Sequence, residues 1–220
     1  MLKEQNLEKL LMQTPQAEVD STYLHGIFRY LKSPKDKITY LLKKGDLISV
    51  RRGLYIVSPE YGKFASTKVL ASMIYSPSYL SLQSSLRHFG IIPEAIRGEV
   101  SVTTLRTNRF ETSIGEFEYH NSLLYDFLWG VRFAKVDAKR QVRIASPIKA
   151  FYDLIRYSIS NYKKKSYDEL AEYLGLMRLD LDDLNYSISE YESLKKSRRK
   201  YLSKFLIKWL ENNNVKCSDE

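Results

Sequence analysis

Six side chains between residues 37 and 52 have types and spacing that could do chemistry together: Lys37, Tyr40, Lys43 and Lys44 at helical intervals, then Arg51 and Arg52 just ahead of Gly53. The chemistry they suggest is electrostatic recognition of double-stranded DNA, with no bond made or broken. Ammonium and guanidinium groups neutralise phosphates and set the register of a bound polyanion, and either the tyrosine among them or a side chain at the helix start can read a base edge in the major groove. An arginine beside a glycine suits a minor groove or a flanking phosphate. The stretch 29–52 holds eight basic residues against Asp36 and Asp46, so positive charge is concentrated where these six lie. Asp36 would repel phosphate, and capping a helix start is its expected job.

Other constellations support less. Glu116 and Glu118 flank Phe117 and could hold Mg²⁺ in a nuclease, but Tyr119 and His120 follow with no lysine in place, and a solvated strand face is the simpler account. His25, His88 and His120 are far in sequence from the single Cys217, and the chain has no HExxH, CxxC, GxxxxGK[ST] or GxGxxG pattern. No metal, cofactor or catalytic residue is expected, and the chain does not read as an enzyme.

The elements that must present the six residues are legible. Ser33-Pro34-Lys35-Asp36 combines an N-cap serine with proline at the first helical position, Ile38, Leu41 and Leu42 form an apolar stripe, and Gly45 terminates the helix. At 100° per residue the opposite arc carries Asp36, Lys37, Tyr40, Lys43 and Lys44. LISV and LYIV then read as two strands joined at Arg51-Arg52-Gly53, with Gly53 free to take a positive φ. Two helical runs precede them, about 4–12 and about 20–31, the second with Tyr23, Leu24, Ile27, Phe28 and Leu31 on one face. Helix, helix, helix, hairpin is the order of a winged helix.

Beyond residue 61 the pattern predicts helices over KFASTKVLASMIY and SLQSSLRHFG, strands in 99–104, 109–120, 130–137 and 141–145, and a helix opened by Ser146-Pro147. The remainder, about 166–212, reads as helical. The expected fold class is α+β: a winged helix over 1–60, a mixed α+β domain over 61–157 and a helical C-terminal extension over 158–220. In that extension Lys195, Lys196, Arg198, Arg199 and Lys200 fit either a second nucleic-acid contact or, with Glu190 and Glu192, a salt-bridged helical surface.

The 220 residues carry 44% hydrophobic and 28% charged side chains and a formal net charge of +9, which describes a globular protein with a preference for anionic partners. Lys3, Glu4, Glu8 and Lys9 interrupt any secretory apolar core, and the uncharged run 69–86 holds six serines and Pro77, so no membrane association is expected and the location is expected to be cytoplasmic.

Four stretches together resemble the AbiEi-type antitoxins of type IV toxin-antitoxin systems, which also act in abortive phage infection. They are LLKKGDLISVRRGLY (41–55), YLSLQSSLRHFGII (79–92), FETSIGEFEYH (110–120) and IASPIKAFYDL (144–154), and they occur in the family's order. The resemblance implies a winged helix that binds the operator of its own operon and represses it, a C-terminal domain that counters a toxin, and a cognate nucleotidyltransferase toxin as functional partner. The chain departs from the family at Ile148, where an acidic residue is usual, and the tail after Ser158 matches no part of the pattern. Alternative readings are a protein-interaction adaptor and a generic winged-helix transcriptional regulator without a toxin partner.

Overall fold

A computed structural model describes residues 9–93, 98–182 and 184–218. The architecture is mixed α+β. Residues 9–12 are helical, and the rest of the helix expected over 4–12 lies outside the described residues. Next come β1 (Glu18–Asp20), α1 (Ser21–Ile27), α2 (Pro34–Lys44), β2 (Leu47–Arg51) and β3 (Leu54–Val57). The sequence did not predict β1, and α1 stops short of Leu31, with Gly26 weakening its last turn by about 1 kcal/mol relative to alanine.

Local signals fix α2 at both ends. Ser33 Oγ accepts from the Asp36 N–H at 3.4 Å, Pro34 opens the first turn, and Gly45 at φ 86° closes the last. Strands β2 and β3 pair antiparallel with an irregularity between Ser49 and Arg51, and β1 pairs antiparallel with β3, so the sheet order is β1-β3-β2. Leu24, Phe28, Ile38, Leu41, Leu47 and Val57 form the core of this unit.

The second sheet has six strands: β4 (Ser78–Leu80), β5 (Gly98–Thr103), β6 (Asn108–Thr112), β7 (Gly115–Asn121), β8 (Val131–Lys135) and β9 (Gln141–Ala145), in the order β6-β7-β5-β4-β9-β8. Helices α3 (Thr67–Ile74), α4 (Leu82–His88), α5 (Leu124–Phe127) and α6 (Pro147–Ser158) accompany it. Leu80, Phe117, Tyr119 and Ile144 pack toward α3 on one side, whereas Tyr79, Val102 and Ala145 pack toward α4 and α6 on the other.

The tail resolves into α7 (Tyr167–Gly175), β10 (Asn185–Ser187), α8 (Ile188–Lys196), α9 (Lys200–Asn212) and β11 (Lys216–Ser218), with β10 and β11 parallel. It is not separate in its packing: Leu170, Leu194, Phe205 and Trp209 share one core with Phe151 and Ile155. The N-terminal unit is joined to its neighbour in the same way, since Val50, Leu54 and Ile56 pack with Val69, Leu70 and Phe117. Among the described residues no helix is long and apolar enough to cross a membrane.

Candidate nucleic-acid interface

Burial of Ile38 and Leu41 turns the opposite arc of α2 outward. On that arc Lys43 and Lys44 are exposed, Tyr40 is 40% exposed and Lys37 is half-buried. The Lys37 ammonium sits 4.1 Å from the centre of the Tyr40 ring, so the two side chains hold each other in place. Lys44 forms an ion pair with Asp46 at 3.1 Å, which anchors its position at the helix C-terminus. Arg52 is exposed at the hairpin tip, whose Gly53 has φ 81° and accepts the Ser21 N–H at 2.8 Å. A Cβ on Gly53 would meet Ser21 Oγ at 3.3 Å, so the tip is seated closely on the start of α1.

Arg51 goes the other way. Its guanidinium donates to the Ile74 carbonyl at the end of α3 and lies 4.9 Å from the centre of the Phe110 ring on β6. The structure therefore brings Lys37, Tyr40, Lys43 and Lys44 together on one helix and leaves Arg52 at the tip, while it commits Arg51 to bracing the hairpin. Ser113 Oγ in the β6–β7 turn adds a hydrogen bond to the Ser49 carbonyl at 3.3 Å.

A further brace comes from Glu18 on β1, whose side chain is fully buried. Its carboxylate accepts from the Ser66 N–H at 2.6 Å and from Arg140 Nη1 at 2.7 and 2.9 Å. Arg140 also pairs with Asp137 at 2.7 Å. The Lys139 backbone N–H, followed by the Arg140 guanidinium, holds the Asp137 carboxyl below its ordinary range.

Sequence reasoning missed an open cleft beside α2. It measures about 870 Å³ and is lined by Leu10, Ile27, Tyr30, Leu31, Lys37 and Tyr40 among others. Tyr30 is 82% exposed there, with the Arg29 guanidinium 4.6 Å from its ring centre. The one available signal was the Arg29-Tyr30-Leu31 triplet inside the basic run, where aromatic and aliphatic residues continue past the point at which α1 ends.

Glu116 and Glu118 line a hollow of about 520 Å³ with His120 and Tyr157. Arg109 pairs closely with Glu116 and lies 3.6 Å from Glu118, so a cation of the chain already occupies the carboxylate pair. Burial and the adjacent Glu116 raise the Glu118 carboxyl, and burial lowers His120, which stacks on Tyr157 at 4.8 Å between ring centres. Among the described residues no group of three or more His, Cys, Asp and Glu is arranged to hold a metal ion.

No family model matches the chain, and neither does any curated protein.

Proposed function

We propose that the N-terminal unit is a winged helix that binds double-stranded operator DNA, with α2 in the major groove and the β2–β3 hairpin as its wing. The observation that carries this reading is the three-stranded sheet of order β1-β3-β2 packed under α1 and α2, with Lys43, Lys44 and Tyr40 on the outward arc of α2. Lys37, Lys43 and Lys44 neutralise phosphates, Tyr40 reaches a base edge, and Arg52 meets the flanking backbone or minor groove. Arg51 serves as a positioning residue for the wing.

In this reading the chain is a non-enzymatic antitoxin that represses its own operon and counters a nucleotidyltransferase toxin encoded beside it. Its resemblance to AbiEi-type antitoxins in four ordered stretches supports that part. The test is twofold. A reporter driven by the region upstream of the gene should be repressed by the chain and released by Lys43→Glu with Arg52→Glu. Growth arrest by the neighbouring nucleotidyltransferase should be relieved by both proteins, since the substitutions leave the rest of the chain intact. Loss of repression without any effect on a neighbouring toxin would reduce the chain to a generic regulator.

The apolar cleft beside α2 favours a second reading as a protein-interaction adaptor, because Tyr30 and Leu31 exceed what a phosphate-facing surface needs. A stable complex with the neighbouring protein by size exclusion, together with no affinity for duplex DNA, would select it.

A further inference from the structure

A second concentration of positive charge lies at the end of β7 opposite the wing. The hairpin is braced at the 113–114 turn where β7 begins, whereas α5 follows the strand's other end, seven residues or about 20 Å away at the usual rise. There α5, a helical turn at Tyr162–Lys164 and the junction of α8 with α9 enclose a hollow of about 440 Å³. Tyr125, Tyr162, Lys163, Arg198, Lys200 and Tyr201 contribute its walls.

Among the described residues the walls contain no carboxylate. Behind them the fully buried Asp126 accepts from Arg156 and Arg199 at 3.0 Å each and from Tyr152 at 3.0 Å, and Arg199 also donates to Tyr162 Oη at 3.3 Å. That network anchors the back wall, and no described carboxylate compensates the front cations. Lys163 and Arg198 are exposed and form no ion pair with a described residue. Lys195, by contrast, is paired with Glu192 at 3.2 Å, so the salt-bridged surface expected for this segment extends only that far. The Arg198 guanidinium carbon lies over the Tyr125 ring, 4.5 Å from its centre, which places a cation on an aromatic face at the rim.

Cations without carboxylates, an arginine over an aromatic ring and three tyrosines, gathered in a hollow within the usual size range for small-ligand sites, match one ligand chemistry. We propose that this hollow binds a nucleoside phosphate, with Lys163 and Arg198 holding the phosphate and a base stacking on the Tyr125–Arg198 pair. The ligand is either a free nucleotide or the phosphorylated end of a single strand. The inference is independent of the winged-helix reading, which concerns the other end of the molecule.

The full chain is titrated with adenosine 5′-monophosphate, adenosine, inorganic phosphate and a 5′-phosphorylated fluorescent hexathymidylate. The monophosphate or the oligonucleotide should bind at least about tenfold more tightly than adenosine or phosphate alone, because phosphate contact and stacking contribute together. Lys163→Glu with Arg198→Glu should abolish that binding, while Lys135→Glu with Lys208→Glu, the same change of charge placed elsewhere, should retain it. Arg198→Gln, which keeps most of the side-chain length, should weaken binding by about tenfold and guards against a folding defect in the reversed variant. Tighter binding of the oligonucleotide assigns a strand end, and tighter binding of the monophosphate assigns a free nucleotide. Absence of binding at millimolar ligand, phosphate binding as tightly as the monophosphate, or equal losses in both double variants overturns the proposal.

Discussion

The division of labour between Arg52 and Arg51 yields a quantitative prediction. Four cations face phosphate in the proposed complex, namely Lys37, Lys43, Arg52 and Lys44, the last exchanging its ion pair with Asp46 for a phosphate. At about 0.9 released counterion per phosphate neutralised on B-DNA, log K against log salt should fall with a slope of about −3.6. Between 50 and 200 mM salt the affinity then drops by about 150-fold. Lys43→Ala with Arg52→Ala removes two contacts, bringing the slope to about −1.8 and the loss over the same range to about 12-fold. Arg51→Ala should leave the slope at the wild-type value, because its guanidinium is spent on the Ile74 carbonyl and the Phe110 ring. Its cost should appear in folding stability, at about 1–2 kcal/mol for a charge-assisted hydrogen bond and a cation–π contact at a partly exposed site. Fluorescence anisotropy with a labelled operator duplex over a salt series measures the slopes, and urea denaturation measures the stability. A slope near zero for the wild type, or a slope that Arg51→Ala lowers as much as Arg52→Ala does, would refute the reasoning.

Removing Arg140 strands the buried Glu18 carboxylate with only the Ser66 N–H, so Arg140→Ala should lower unfolding stability by about 3–5 kcal/mol, read by urea denaturation. Gly98 has φ 119°, and a Cβ there would lie 1.6 Å from the Glu116 carbonyl oxygen, so Gly98→Ala should cost more than about 4 kcal/mol or prevent recovery of folded protein, checked by thermal melting. Glu169 caps α7 through Ser166, and hydrogen bonds from Lys165 and the Ser166 N–H depress its carboxyl from 4.5 to about 2. A depressed folded value means a contribution present above the unfolded value and lost as pH falls. The melting difference between wild type and Glu169→Gln should therefore be full above pH 4.5 and shrink toward pH 2, and a difference that stays constant over that window would contradict the assignment.

What could be read in advance divides by the range of the interactions involved. Helix α2 was legible to the residue because its determinants, Ser33, Pro34, the Ile38–Leu41 stripe and Gly45, are all local. The hairpin and the helix after Ser146 were legible for the same reason. Strands β1 and β4 were not: each has three residues, and each exists through pairing with a partner distant in sequence, β3 in one case and β5 and β9 in the other. The two helices predicted over 63–75 and 81–90 leave 76–80 without an element, although a strand begins at Ser78. The basic arc was found by angular spacing, yet the direction of Arg51 depended on Ile74 and Phe110, far along the chain. In the tail, Leu202, Phe205, Leu206 and Leu210 recur at helical spacing, but that spacing carries no information that α6 is what their face covers.

The central claim is that the outward arc of α2 lies against duplex DNA. Replacing Tyr40 with p-benzoylphenylalanine and irradiating the chain with an end-labelled operator duplex tests it at the atom concerned. The account predicts a crosslink from position 40 to bases within the protected site, competed away by unlabelled operator and absent when Lys43→Glu and Arg52→Glu are added. Operator DNA that the substituted chain protects but that never crosslinks from position 40 would contradict it.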